Sequence, residues 1–119
     1  MGNEIAWQVE LAVKPGELEN YRALIGKMVE FTETEPGTLI YEYFISQDGQ
    51  TIYVYERYAD AAAAVAHLLA AGKRFGGRSA HMVEIRRFLV FGMPSAELRA
   101  ILDRLGATYL AFFAGTHRE

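Results

Sequence analysis

The stretch "LIYEYFISQDGQTIYVYERY", Leu39 to Tyr58, constrains the fold of this chain more than any other. Thr38 to Ser46 and Thr51 to Tyr58 are rich in β-branched and aromatic residues, and Asp48-Gly49 between them fits the two-residue loop of a tight hairpin. Such a loop sets Gln47 against Gln50 and decides which side chains share a face. One face then carries Leu39, Tyr41, Tyr43 and Ile45 opposite Tyr58, Glu56, Val54 and Ile52. The other carries Ile40, Glu42 and Phe44 opposite Arg57, Tyr55 and Tyr53. Both are largely apolar or aromatic, whereas an antiparallel sheet with one wet face alternates cleanly between apolar and polar. Helices can cover one face only, and the other is more apolar than a monomer tolerates. A symmetric homodimer that packs sheet against sheet is therefore expected.

The rest of the pattern supplies the helices. Ile5, Trp7, Val9, Leu11 and Val13 alternate with Ala6, Gln8, Glu10 and Ala12, the two-residue period of a strand. From Glu17 to about Glu33, Leu18, Tyr21, Leu24, Ile25, Met28 and Val29 recur at three- and four-residue spacing, which predicts an amphipathic helix closed by "EPG". Asp60 is placed to cap a second helix through the alanine run Ala61 to Ala64, and Gly72 is its expected end. A looser segment, "KRFGGRSAH", then leads to a strand from Met82 to Phe91. Strand, helix, strand, strand, helix, strand is the order of a ferredoxin-like α+β sandwich with a four-stranded antiparallel sheet. Beyond Gly92, Ser95 can cap a helix from about Ala96 to Leu105, with Leu98, Ile101, Leu102 and Leu105 on one side, and Gly106 can end it. A last strand near Tyr109 to Phe113 is expected to pair at the dimer interface.

Composition narrows the partners. A chain of 119 residues, 51% hydrophobic and 23% charged, suits one domain over residues 1–119, with a core over 4–92 and an ordered helix-strand extension over 93–119. The net charge of −3 and the scattered Lys and Arg argue against nucleic acid. With no cysteine there is no thiolate nucleophile or Cys-based zinc site, which suits a reducing compartment, and the cytoplasm is expected. The start lacks a basic region ahead of an apolar run, and "ADAAAAVAHLLAAG" is too short and interrupted to cross a bilayer, so neither signal peptide nor membrane span is expected.

The run from "VKPGELENY" through "EPGTLIYEYFISQDGQTIYVYERYADAAAAVAHL" resembles the antibiotic biosynthesis monooxygenase domain, including its quinol monooxygenase branch. The resemblance covers about residues 4–92. It rests on the order and spacing of Glu35-Pro36-Gly37, Tyr41-Glu42, Tyr55-Glu56 just before a helix, and Ala66-His67-Leu68 within it. It implies a dimeric α+β barrel and a monooxygenase that oxidises a quinol or phenolic polyketide with O₂ and no metal, flavin or haem. Many relatives carry a second histidine beside a phenylalanine, where "LLAAGKRFGG" offers only Lys73, Arg74 and Phe75. The asparagine and tryptophan of haem-degrading relatives correspond here to Val9 and His67, which sets that branch behind the quinol one.

His67 is the leading catalytic candidate, because a neutral imidazole can take a phenolic proton and so prepare an electron-rich anion for one-electron transfer to O₂. On the helix it shares a side with Ala63, Ala70 and Arg74, which suits a solvated histidine equally well. His81 and His117 rank behind it. The tyrosines serve as cross-strand packing at roughly 0.2–1 kcal/mol per pair, or a subset completes an apolar slot for a flat ring, for which Trp7, Tyr41 and Tyr43 are selected. Glu42 and Glu56 fall on opposite faces and belong to no metal-ligand cluster; Glu56 reads as a partner for an arginine or a backbone N–H. Arg57 can steady an oxyanion, though a surface or interface ion pair is commoner. Two functions remain open: a cofactor-free monooxygenase, and a non-enzymatic dimer that binds a small aromatic ligand or serves a structural role.

Overall fold

The computed structural model describes residues 2–118. In chain order the elements are β1 (Ile5–Val13), α1 (Leu18–Thr32), β2 (Thr38–Ile45), β3 (Thr51–Tyr58), α2 (Ala61–Met82), β4 (Val83–Phe91), α3 (Ala96–Arg104) and β5 (Thr108–Leu110). The strands form one sheet in the order β2-β3-β1-β4-β5, antiparallel except for the β4–β5 pair, which is parallel. This is the α+β, ferredoxin-like class read from the sequence, with one strand more than the four expected. The fifth follows from connectivity. A parallel pair needs a crossover connection, and α3 provides it between β4 and β5. It covers the edge of β4 within the same chain, with Gly92 N–H donating to Leu110 O at 2.8 Å, and stands at the edge of the sheet.

The hairpin has the expected register, Tyr41 against Glu56, Tyr43 against Val54 and Ile45 against Ile52. Its loop is longer than two residues. Ser46 N–H donates to Thr51 O at 2.9 Å, and Asp48 accepts from Ser46 Oγ and from Gln50 N–H, so four residues turn the chain with Gly49 at φ 73°. A register shift between Thr38 and Ile40 sets Thr38, rather than Leu39, opposite Tyr58 and leaves Leu39 exposed.

Asp60 caps α2, accepting from Ala63 N–H at 2.8 Å, and Ser95 caps α3 through Leu98 N–H at 3.2 Å, both as the sequence indicates. The end of α2 differs. The helix runs through Gly72, Gly76 and Gly77 to Met82, and "KRFGGRSAH" is helical rather than loose. Each of these glycines disfavours helix by about 1 kcal/mol relative to alanine, but Phe75 between them is buried against Phe31 with ring centres 5.8 Å apart. The Arg74 guanidinium covers Phe31 at 4.7 Å and Arg78 lies over Phe75 at 5.5 Å. Packing by these side chains holds the last turns.

The helices lie on the face that carries Trp7, Val9, Val54, Tyr58, Phe88 and Val90, all buried. Leu98 and Leu102 of α3 join the same core, so the extension is part of the packed body. The opposite face carries Ile40, Phe44, Tyr53, Tyr55, Leu89 and Phe91, and of these Phe44 is 56% exposed.

Candidate functional site

One close approach builds the site. Beyond α1 the chain turns through Glu35-Pro36-Gly37, and a Cβ on Gly37 would lie 2.5 Å from the Cβ of Ala63 on α2. Only glycine lets this turn settle on the helix. His67, one helical turn beyond Ala63, is covered by the same turn and is only 4% exposed. The solvated reading of His67 is thereby corrected: the helix side that carries Ala63 and His67 faces the turn after α1, not water.

Two carboxylates flank the imidazole. His67 Nδ1 is 2.7 Å from Glu35 Oε1, which also accepts from Thr38 Oγ1 at 3.2 Å. His67 Nε2 lies 3.7 Å from Glu56 Oε1, beyond hydrogen-bond range. Glu56 is buried and accepts from the Tyr58 hydroxyl at 2.5 Å. Its partners are thus a tyrosine and a histidine, not the arginine or backbone N–H expected. Burial pushes the Glu56 carboxyl up, while the nearby imidazole, the Tyr58 hydroxyl and the Trp7 indole pull it down. Among the described residues the buried Trp7 N–H and Thr32 hydroxyl have no hydrogen-bond partner.

Aromatic rings enclose this cluster. Tyr41 and Tyr58 each stand 5.3 Å from the His67 ring, and Tyr41 and Tyr43 join hydroxyls at 2.7 Å. Tyr43 also reaches Met28 Sδ at 3.9 Å. Trp7, fully buried, packs behind Tyr58 at 5.0 Å and against Phe88 at 5.7 Å. The four residues selected from the sequence, His67, Trp7, Tyr41 and Tyr43, therefore lie together on the helix side of the sheet, with Trp7 as a floor behind Tyr58 rather than an open wall. Burial raises the ionisation of Tyr41, Tyr43 and Tyr58 well above the usual phenol range, and the Glu56 charge raises Tyr41 and Tyr58 further, so these hydroxyls act as neutral hydrogen-bonding groups.

Other candidates lie elsewhere. Arg57 is on the opposite face and pairs with Glu4 at 3.4 Å, and Glu42 is exposed on that face. His81 is exposed at the end of α2 and His117 in the tail. A cavity of about 1140 Å³ opens between the amino-terminal segment, Tyr55, Arg57, Phe91 and the tail, and none of the four selected residues lines it. Among the described residues no group of three or more His, Cys, Asp or Glu is set to hold a metal, and no helix is long and apolar enough to cross a membrane. Sequence reasoning missed Glu35 as the partner of His67. The available signal was its place beside Gly37, a glycine at the mouth of a turn that must approach a helix.

The antibiotic biosynthesis monooxygenase model matches residues 5–71, more than half of the chain. The chain belongs to the antibiotic biosynthesis monooxygenase family. Its fold is that of several solved structures. MupZ from Pseudomonas fluorescens shares 22% identity at a TM-score of 0.87, over 98% of this chain and 96% of that one. Rv0793 from Mycobacterium tuberculosis shares 20% identity at 0.68, over 79% and 99%. SnoaB, a cofactor-independent oxygenase from Streptomyces nogalater, shares 12% at 0.67, over 80% and 97%. The family match ends within α2, whereas the likeness to MupZ spans the carboxy-terminal extension as well. No curated protein sequence matches the chain.

Proposed function

We propose that this chain is a cofactor-independent monooxygenase that oxidises a small aromatic quinol or phenolic polyketide-like substrate with O₂, acting in the cytoplasm as a homodimer. The observation that carries the reading is a buried histidine, held between two glutamates and faced by two tyrosine rings, in a member of a monooxygenase family. The fold shared with SnoaB supports it.

The reaction balances without a further reductant. A quinol and O₂ give a hydroxyquinone and water, so the substrate loses four electrons; one oxygen atom enters the product and the other leaves as water. His67 takes the phenolic proton. The enclosed site disfavours the solvated resting anion, which then passes one electron to O₂; the radical pair joins to form a carbon–oxygen bond as a peroxide. His67 returns its proton to the distal peroxide oxygen, giving a hydroperoxide. The ring carbon that bears it then loses its hydrogen as a proton, the C–H electron pair forms the new C=O bond as the O–O bond breaks, and the departing hydroxide takes up that proton to leave as water. Tyr41 and Tyr43 form the wall against which the ring is held, and their neutral hydroxyls orient it. Trp7 supports the floor through Tyr58.

The homodimer reading rests on the uncovered face of the sheet, where Phe44, Tyr53, Tyr55 and Phe91 leave an apolar surface suited to a second copy. An O₂-consumption screen with reduced naphthoquinones and anthrones, with mass spectrometry of the products, tests the activity. The expected result is substrate-dependent O₂ uptake with one oxygen added. No uptake above the uncatalysed rate would move the reading to the non-enzymatic protein that binds a small aromatic ligand.

A further inference from the structure

His67 offers two ring nitrogens, and only one can be the proton acceptor. The groups that face the ring are Glu35 from the turn after α1, Glu56 and Tyr58 from β3, and Tyr41 from β2. They are not equivalent. At 2.7 Å the Glu35 carboxylate makes a hydrogen bond with Nδ1, whereas at 3.7 Å Glu56 makes none with Nε2. A hydrogen bond to one ring nitrogen decides which nitrogen bears the proton, because a carboxylate oxygen only accepts.

From this asymmetry, and resting on the proposed role of His67 as base, we propose that Glu35 is the positioning residue of the site: it holds His67 in the tautomer protonated at Nδ1 and leaves Nε2 as the proton acceptor. Glu35 is suited to this in two further ways. Thr38 Oγ1 donates to the same oxygen, so the carboxylate is fixed from the sheet side as well. The Gly37–Ala63 approach sets the distance between the turn and the helix, so the His67–Glu35 contact is built into the backbone rather than left to long flexible side chains. When His67 takes the substrate proton, the imidazolium forms against a carboxylate already in place. The logic is that of a carboxylate orienting a catalytic histidine in a hydrolase triad, here between residues 32 apart in sequence. Glu56 faces the other nitrogen across a gap, and its burial-raised ionisation makes it the weaker competitor for the ring proton.

The direct test is nitrogen NMR of the neutral His67 ring in the full chain, recorded at a pH above which its nitrogen shifts no longer change. The wild-type ring is expected to show a protonated Nδ1 and a pyridine-type Nε2. A ring protonated at Nε2 would overturn the proposal whatever the variants do. In Glu35→Ala the ring is expected to lose that preference, and in Glu35→Asp, one methylene shorter, to retain part of it. An unchanged tautomer in Glu35→Ala, with spectra showing a folded protein, would also overturn it. On an oxygenated quinol, Glu35→Ala is expected to lower kcat by about 10²-fold, the lower end of what a general base contributes, with KM little changed. The NMR result stands or falls without turnover, so absence of any oxygenase activity would count against the proposed function and not against the role of Glu35.

Discussion

Each face of the sheet carries a set of side chains out of keeping with its surroundings. The face under the helices holds His67, Glu56 and the hydroxyls of Tyr41, Tyr43 and Tyr58, while the bare face holds Phe44, Tyr53, Tyr55 and Phe91. Burying polar groups is costly unless they pair. The inner groups pair almost completely with one another: Glu35 with His67, Tyr58 with Glu56, Tyr41 with Tyr43. On the outer face the cost is of the other kind, apolar surface left to water. Under the proposed function the inner cluster serves chemistry and the outer face contact with a second copy, and each side can be broken separately.

The largest effect is expected inside. Replacing His67 with Ala should lower oxygenation by roughly 10²–10⁴-fold and leave the mass in solution unchanged, as measured by O₂ uptake and light scattering on one sample. Equal turnover would remove His67 from the mechanism. Next comes the outer face. Phe44→Glu places a charge, twice over in a symmetric pair, on the proposed interface, and should raise the dimer Kd by about 10²-fold, near 2.8 kcal/mol. Its own fold should be retained because Phe44 is exposed in the single chain. A protein that is monomeric at micromolar concentration before any substitution would end the contact reading of this face.

Smaller effects sharpen the picture of the site. Gly37→Ala forces a methyl to within 2.5 Å of the Ala63 Cβ and should destabilise the protein by about 1–3 kcal/mol. Ala63→Gly in the same chain should recover much of that loss, and additive effects in urea unfolding would contradict the close approach. The smallest concerns Glu56, whose ionisation folding raises above the ordinary 4.5. Folding then favours the protonated form, so this contribution is fully present below about pH 4.5 and is lost as pH rises through the raised value. Measured against Glu56→Gln, which does not titrate there, wild-type stability should decline as pH rises above 4.5 and through the raised value. A relative gain with pH would mean that pairing with His67 outweighs burial.

Much of this frame is legible in the sequence because it is local. The alternation in β1, the hairpin register and the Asp60 and Ser95 caps each depend on neighbours within a few positions and appear as read, although the turn at Asp48-Gly49 takes four residues rather than two. The failures are tertiary. Gly72 reads as a helix end until Phe75 packs on Phe31 and carries α2 onward. The final strand reads as one that pairs at a dimer interface near Tyr109 to Phe113, whereas α3 returns Thr108–Leu110 to β4 of the same chain. His67 could be named from its surroundings, but not its partners, since the approach of Gly37 to Ala63 that creates them has no periodic trace. The face of the hairpin that meets the helices was likewise invisible, because both faces look alike by composition.

In the proposed reaction the inner cluster directs an oxygen atom from O₂ into an aromatic substrate. Turnover of a reduced naphthoquinone under isotopically labelled O₂ in ordinary water, with the product's mass recorded at early times before exchange, tests it most directly. One labelled oxygen is expected in the hydroxyquinone, and that product is expected to be lost in His67→Ala. Product formed at full rate with its new oxygen drawn from water would contradict it, and would make the Glu35–His67–Glu56 cluster a site of acid–base rather than oxygenase chemistry.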